Sequence, residues 1–197
     1  MPSVYHPATR RETALEPAVD EPSDDELVRR VQAGDREAFA ELIRRFERPA
    51  LAVAFAVLAD GEAAGDAVQG AFVRAWQKLA DLRRPERFGA WLCGIVRNMA
   101  RDEKRRCRRE LRVRAEVSAV AGRGGEPDPA AECSRKENDQ QLAAALAQLD
   151  ELSRTAVTLR YYEGLSSKDI GGLLELSPAA VDMRLLRARQ FLKERLT

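Results

Sequence analysis

Apolar residues recur at three- and four-residue intervals from Ser23 to Leu196, apart from one break between Val113 and Gln140, and no segment alternates convincingly with period two. That spacing fits the 3.6-residue turn of a helix and not the pleat of a strand, so the chain is expected to be all-α. "SDDELVRRVQAG" sets Leu27, Val28 and Val31 at helical spacing behind an acidic first turn, with Gly34 as the stop. "DREAFAELIRRFERP" restarts at Asp35, an N-cap type, aligns Phe39, Leu42, Ile43 and Phe46, and is expected to end near Pro49. "ALAVAFAVLAD" then reads as a separate, nearly all-apolar central helix closed by a break at Gly61. Val68, Phe72, Trp76 and Leu79 make the next stripe, and "RRPERFG" a loop around Pro85. A helix beginning near Phe88 carries Trp91, Ile95 and Met99 on one face, which reads as core.

That last helix passes from grease into charge. Between Arg97 and Arg114 stand nine basic residues against Asp102, Glu103 and Glu110, although the whole chain has a formal net charge of only +1. The first 23 residues and the stretch from Val113 to Gln140 each sum to −2, so charge is sorted along the chain. A local basic block of this density points to a nucleic-acid backbone rather than to a solvated helix end. A membrane span is ruled out by length, since no run approaches the ~18–20 apolar residues required. "MPSVYHPATRRE" lacks the apolar centre of a signal peptide. The three cysteines, at 93, 107 and 133, form no CxxC pair, and the single histidine, His6, sits in a Pro-rich tail. On a shared helix Cys93 and Cys107 would stand about 21 Å apart, too far for a common metal or disulfide. Free thiols suit a reducing cytosol, and the chain is expected to be cytoplasmic, with no metal and no cofactor. No phosphate loop or nucleophile–base pair suggests an enzyme.

Domain organisation follows from the same patterns. Residues 1–22 read as a disordered tail, 23–112 as a first helical domain, 113–137 as a flexible, weakly acidic linker rich in Gly and Pro, and 138–197 as a second helical domain. In the second, Leu142, Leu146 and Leu149 share a face, and "SRTAVTLRYYEG" is expected to start at Ser153 and stop at Gly164. Ser166 with Asp169 has the form of a capping box, "ELS" is a tight connection, and Ser177–Pro178 is a strong helix start. Val181, Leu185 and Leu192 face inward while Arg184, Arg187 and Arg189 lie elsewhere. Two short helices, the second basic, make a helix-turn-helix pattern.

Taken in order, "DAVQGAFVRAWQKL", "RFGAWLCGIVRNMARDEKRR" and "LRYYEGLSSKDIGGLLELSPAAVDMRLLRARQFLKERL" resemble a bacterial sigma factor of the extracytoplasmic-function group of the sigma-70 family, over about Ser23 to Leu196. The resemblance implies two small helical domains and no enzymatic activity. It implies core RNA polymerase and promoter DNA as partners, with an anti-sigma factor as a further candidate partner. Asp66, Gln69, Phe72 and Arg74 fall where such proteins dock on core polymerase. Val68, Phe72 and Trp76 also read as plain core. Arg87, Phe88, Arg97, Asn98, Arg101, Lys104 and Arg105 fall where the separated non-template strand of the minus-10 element is held, one base flipped into a pocket. Asn98 suits a base edge, since an amide both donates and accepts. Ser177, Asp182, Met183, Arg184, Arg187 and Arg189 fall on the helix that reads the minus-35 element as duplex. The chain departs from the family pattern at Gly70, where an acid is usual, and at Asp182 and Met183, where a basic residue and a serine are usual. The connection "ELS" also lacks the customary glycine. The alternative reading is a helix-turn-helix regulator acting without polymerase, which leaves the basic helix and the docking helix without a task.

Overall fold

The computed structural model describes residues 22–121 and 133–196, with side chains omitted at 111, 114–121 and 133–140. Among the described residues there are eight α-helices and no strand: α1 Asp24–Gln32, α2 Arg36–Leu58, α3 Gly61–Lys78, α4 Phe88–Ala121, α5 Cys133–Gln148, α6 Glu151–Tyr161, α7 Ser167–Leu174 and α8 Pro178–Leu196. The expected tail and the middle of the expected linker lie outside them. No helix among the described residues is long and apolar enough to cross a membrane.

Helix α2 is one element where two were expected. Pro49 lies inside it, removing a hydrogen bond at a cost of roughly 3 kcal/mol in a helix interior. Burial outweighs this. Phe39, Leu42, Ala50, Val53 and Val57 stay in phase through the proline, all buried, and one fully buried Leu or Val is worth about 1.5–3 kcal/mol. The break expected at Gly61 falls earlier. Ala59 takes the left-handed cap (φ 55°), and the Asp60 side chain accepts from the Ala63 N–H to open α3, so two residues join two long helices. Helix α4 also runs past 112 to Ala121, into residues expected to be linker. Helix α6 begins at Glu151, because the Asp150 carboxylate caps it through the Ser153 N–H, which leaves Ser153 buried inside the helix.

Helices α1–α4 pack around Leu27, Leu42, Val53, Phe88, Leu92 and Val96, and α5–α8 around Leu159, Ile170, Leu174, Val181 and Leu185. The two groups meet, α2 against α6 and α4 against α7. At the second contact Gly89 admits close approach: a Cβ there would lie 2.7 Å from Phe46 and 3.0 Å from Leu173. Within the second group Ser166 and Asp169 form the reciprocal capping box, and the Ser177 hydroxyl accepts from the Ala180 N–H at the start of α8. The turn between α7 and α8 does form without a glycine in "ELS". Glu175 supplies the left-handed residue (φ 57°), and the Leu176 N–H returns to the Gly171 carbonyl at 2.9 Å.

Candidate nucleic-acid interface

The sequence from Lys78 to Asn98 builds a cleft. A short 3-10 turn at Pro85–Arg87 delivers the chain into α4, and the preceding arginines lie across the mouth. The cleft holds about 750 Å³, with Trp91, Ile95 and Leu82 as apolar walls and Asn98 and Arg97 on α4 beside Arg83, Arg84 and Arg87 from the turn. Its size falls within the ~300–1,000 Å³ usual for small-molecule sites. Asn98 is exposed, and its amide makes no hydrogen bond to the described residues. Arg83, Arg84 and Arg97 likewise have no ion-pair partner among them. The Trp91 ring stands 6.0 Å from Phe88, so one side of it belongs to the core and the other to the cleft.

Three residues expected on this face do something else. Phe88 is wholly buried, edge-on to Phe46 at 5.2 Å, because its helix start is pinned onto α2; it supports the cleft from beneath and offers no surface to DNA. Lys104 is half-buried and donates to the Val57 carbonyl at the end of α2, at 2.7 Å. Desolvation, with Arg154 and Arg108 nearby, lowers its pKa. Arg105 is exposed and pairs with Asp102 one turn back on its own helix.

Two more are held from across the molecule. Arg101 makes a two-pronged pair with Glu151 at the start of α6, at 2.9 and 3.0 Å, and Arg87 donates to Glu175 at 2.8 Å. A third pair, Arg48 with Glu163 at 3.0 Å, joins the same halves. Glu175 also stands on the rim of the cleft. The acids that hold Arg87 and Arg101 come from the second helical group, and nothing in the local pattern around 87–105 could reveal them.

On the helix-turn-helix, Met183, Arg187 and Arg189 are exposed, and Ser177 is exposed while capping α8. Arg187 and Arg189 have no ion-pair partner among the described residues. Asp182 and Arg184 are both engaged. Asp182 accepts from the Ser167 hydroxyl, which also accepts from Arg160 at 2.6 Å. Arg184 donates to Asp150 at 3.1 Å and to Ser153 at 3.3 Å.

The four expected docking residues do not form one patch. Gln69 lies with Val73, Trp76, Ile43 and Leu51 on an apolar cleft of about 640 Å³ between α2 and α3, whose floor is Phe72, buried edge-on against Phe39 at 6.4 Å. Asp66 lies in a different recess with Met99, Glu103 and Arg106, and Arg74 is exposed. Trp76, read as core, is 41% exposed, and Val73 is 54% exposed. The missed signal was local: Val73 is an apolar residue off the stripe defined by Val68, Phe72 and Leu79. Gly70 faces α4, where a Cβ would lie 2.5 Å from the Met99 methyl.

Both described thiols are disfavoured as thiolates. Burial pushes Cys93 up to about 12, and Cys107 is raised chiefly by its hydrogen bond to Glu103. No cluster of three or more metal-ligating side chains occurs among the described residues.

The described residues thus combine an all-helical fold, a basic cleft and a helix-turn-helix. Residues 42–110 match the Sigma-70 region 2 family, and residues 139–192 match the Sigma-70, region 4 family. The chain is 32% identical to the RNA polymerase sigma-H factor of Pseudomonas aeruginosa, covering 85% of this chain and 90% of the relative. It is 37% identical to the probable RNA polymerase sigma factor RfaY of Xanthomonas campestris pv. campestris, over 83% of this chain and 42% of that longer relative. Among solved structures, CnrH in complex with the cytosolic domain of CnrY is similar at 30% identity and a TM-score of 0.58, covering 88% of this chain and 96% of CnrH. This chain belongs to the sigma-70 family of RNA polymerase sigma factors, in its extracytoplasmic-function group. It is an initiation factor and not an enzyme.

Proposed function

We propose that α1–α4 engage core polymerase and the separated strand of the minus-10 element, and that α5–α8 read the minus-35 element as duplex. The observation that carries this is the cleft beneath the 3-10 turn, where the free Asn98 amide is flanked by unpaired Arg83, Arg84 and Arg97. A base leaving its stack needs a wall to stack on and an edge partner, while its phosphates need cations. Trp91 and Ile95 supply the wall, Asn98 the partner and the arginines the charge. The apolar cleft around Gln69, Val73 and Trp76 is the docking surface for core polymerase. Recruitment and strand capture take place in the cytoplasm, where polymerase and chromosome are found. CnrH, to which the chain is similar, forms a complex with the cytosolic domain of CnrY, and a protein that binds this chain in such a way, an anti-sigma factor, is the further partner proposed.

Run-off transcription with core polymerase on genomic fragments, followed by start-site mapping, identifies the promoters. On one of these, Asn98→Ala reduces permanganate-detected opening by about tenfold, the worth of one good base contact of ~1–3 kcal/mol. It leaves pull-down of core polymerase unchanged. Equal opening by wild type and variant would remove Asn98 from the site.

A further inference from the structure

The outer face of α8 is apolar over the first half of the helix, ahead of Gln190. With ~100° per residue, Ala179, Met183 and Leu186 fall within about 60° of one another, opposite buried Val181, Leu185 and Ala188. Met183 is 48% exposed and Leu186 42%. One charged residue on either shoulder is bonded to the rest of the domain. On one side Asp182 Oδ1 accepts from Ser167 and stands 4.0 Å from Arg160, which fastens α8 to α7 and α6. On the other, Arg184 bonds Asp150 and Ser153 at the start of α6. Arg187, next to the apolar face, and Arg189 remain available for phosphates.

We infer that Met183 is a specificity-determining residue of this sigma factor: its thioether end packs against the C5-methyl group of a thymine in the major groove of the upstream element. The inference rests on the reading of α8 as the recognition helix. The chemistry leaves little choice of base. Guanine and adenine offer that groove donors and acceptors, cytosine a donor and a bare C5–H, and thymine alone a methyl group. An apolar side chain pressed onto a donor or acceptor strips it of water and returns no hydrogen bond, which is unfavourable. Met is flexible and polarisable enough to fit a methyl group without demanding one fixed geometry. Flanking arginines give the positive charge that brings an apolar face to a polyanion.

The test uses holoenzyme assembled from the full chain and core polymerase. Duplexes randomised upstream of a fixed, mapped minus-10 element are selected by binding, and each thymine of the selected element is then replaced singly by uracil, which lacks only the methyl group. Wild type is expected to lose about fourfold in affinity at one position, the worth of one buried methyl. Met183→Ala, an exposed change, is expected to bind the thymine and uracil duplexes alike there, while keeping its core affinity. If no thymine is sensitive, or if the sensitive one stays equally sensitive in Met183→Ala, the inference is wrong and the recognition-helix reading stands. A selection with no upstream enrichment overturns that reading, and the inference with it.

Discussion

Asp150 shows how much one side chain does here. It caps α6 through the Ser153 N–H and receives Arg184 from α8. Burial opposes its charge, but the hydrogen bonds from Ser153 and the Arg184 guanidinium outweigh this and hold its pKa below the ordinary value. A depressed carboxyl stabilises the fold above its unfolded pKa of about 4, and the contribution is lost as pH falls through the folded pKa. Asp150→Asn keeps a cap but removes the charge. Thermal melts should therefore show wild type above the variant at neutral pH, with the gap closing below about pH 4. A gap independent of pH would mean that the charge contributes nothing. Local residues of this kind were largely legible: Asp35, the Ser166–Asp169 box and Ser177 cap as expected, because a cap depends on neighbours within a turn. Phe88 was not legible, since its burial depends on Phe46 from another helix. The bonds of Arg184 to Asp150 and Ser153 were not legible for the same reason.

Elements follow a different logic. Their existence was plain from spacing, but their ends were not, as α2 running through Pro49 and α4 continuing to Ala121 show. The helix-turn-helix makes the point at its glycines. A Cβ at Gly171 would lie 2.5 Å from the Leu176 carbonyl oxygen, a backbone atom that cannot step aside, whereas one at Gly172 meets nothing within 4 Å. Gly171→Ala should lower stability by about 1–3 kcal/mol, as overpacking does. Gly172→Ala should raise it by up to ~1 kcal/mol through helix propensity alone. Chemical denaturation of the two variants measures both, and equal effects would contradict this account of the turn. The customary glycine, absent from "ELS", is in effect replaced by a left-handed Glu175 together with a glycine one turn upstream. A reading that looked only at the connection could not see this.

On the scale of the whole molecule, linear charge counting found the basic block but could not show what its arginines hold in the free chain. Glu151, Glu163 and Glu175 come from the far half and reach Arg101, Arg48 and Arg87. Arg87 and Arg101 are each about half exposed, and such pairs are worth roughly 0–1 kcal/mol each and weaken with salt. With the contact at Gly89 they hold the molecule closed without locking it. Two of the arginines proposed for the separated strand, Arg87 and Arg101, are thereby occupied until the halves part, while Arg97 and the outer face of α8 stay open. Energy transfer between labels at positions 36 and 190, with Cys107 and Cys133 changed to serine, tests this directly. The account predicts high transfer in the free chain at low salt, less in Glu151→Gln/Glu175→Gln, and a sharp fall when core polymerase is added. Transfer that stays the same with and without core polymerase would contradict it.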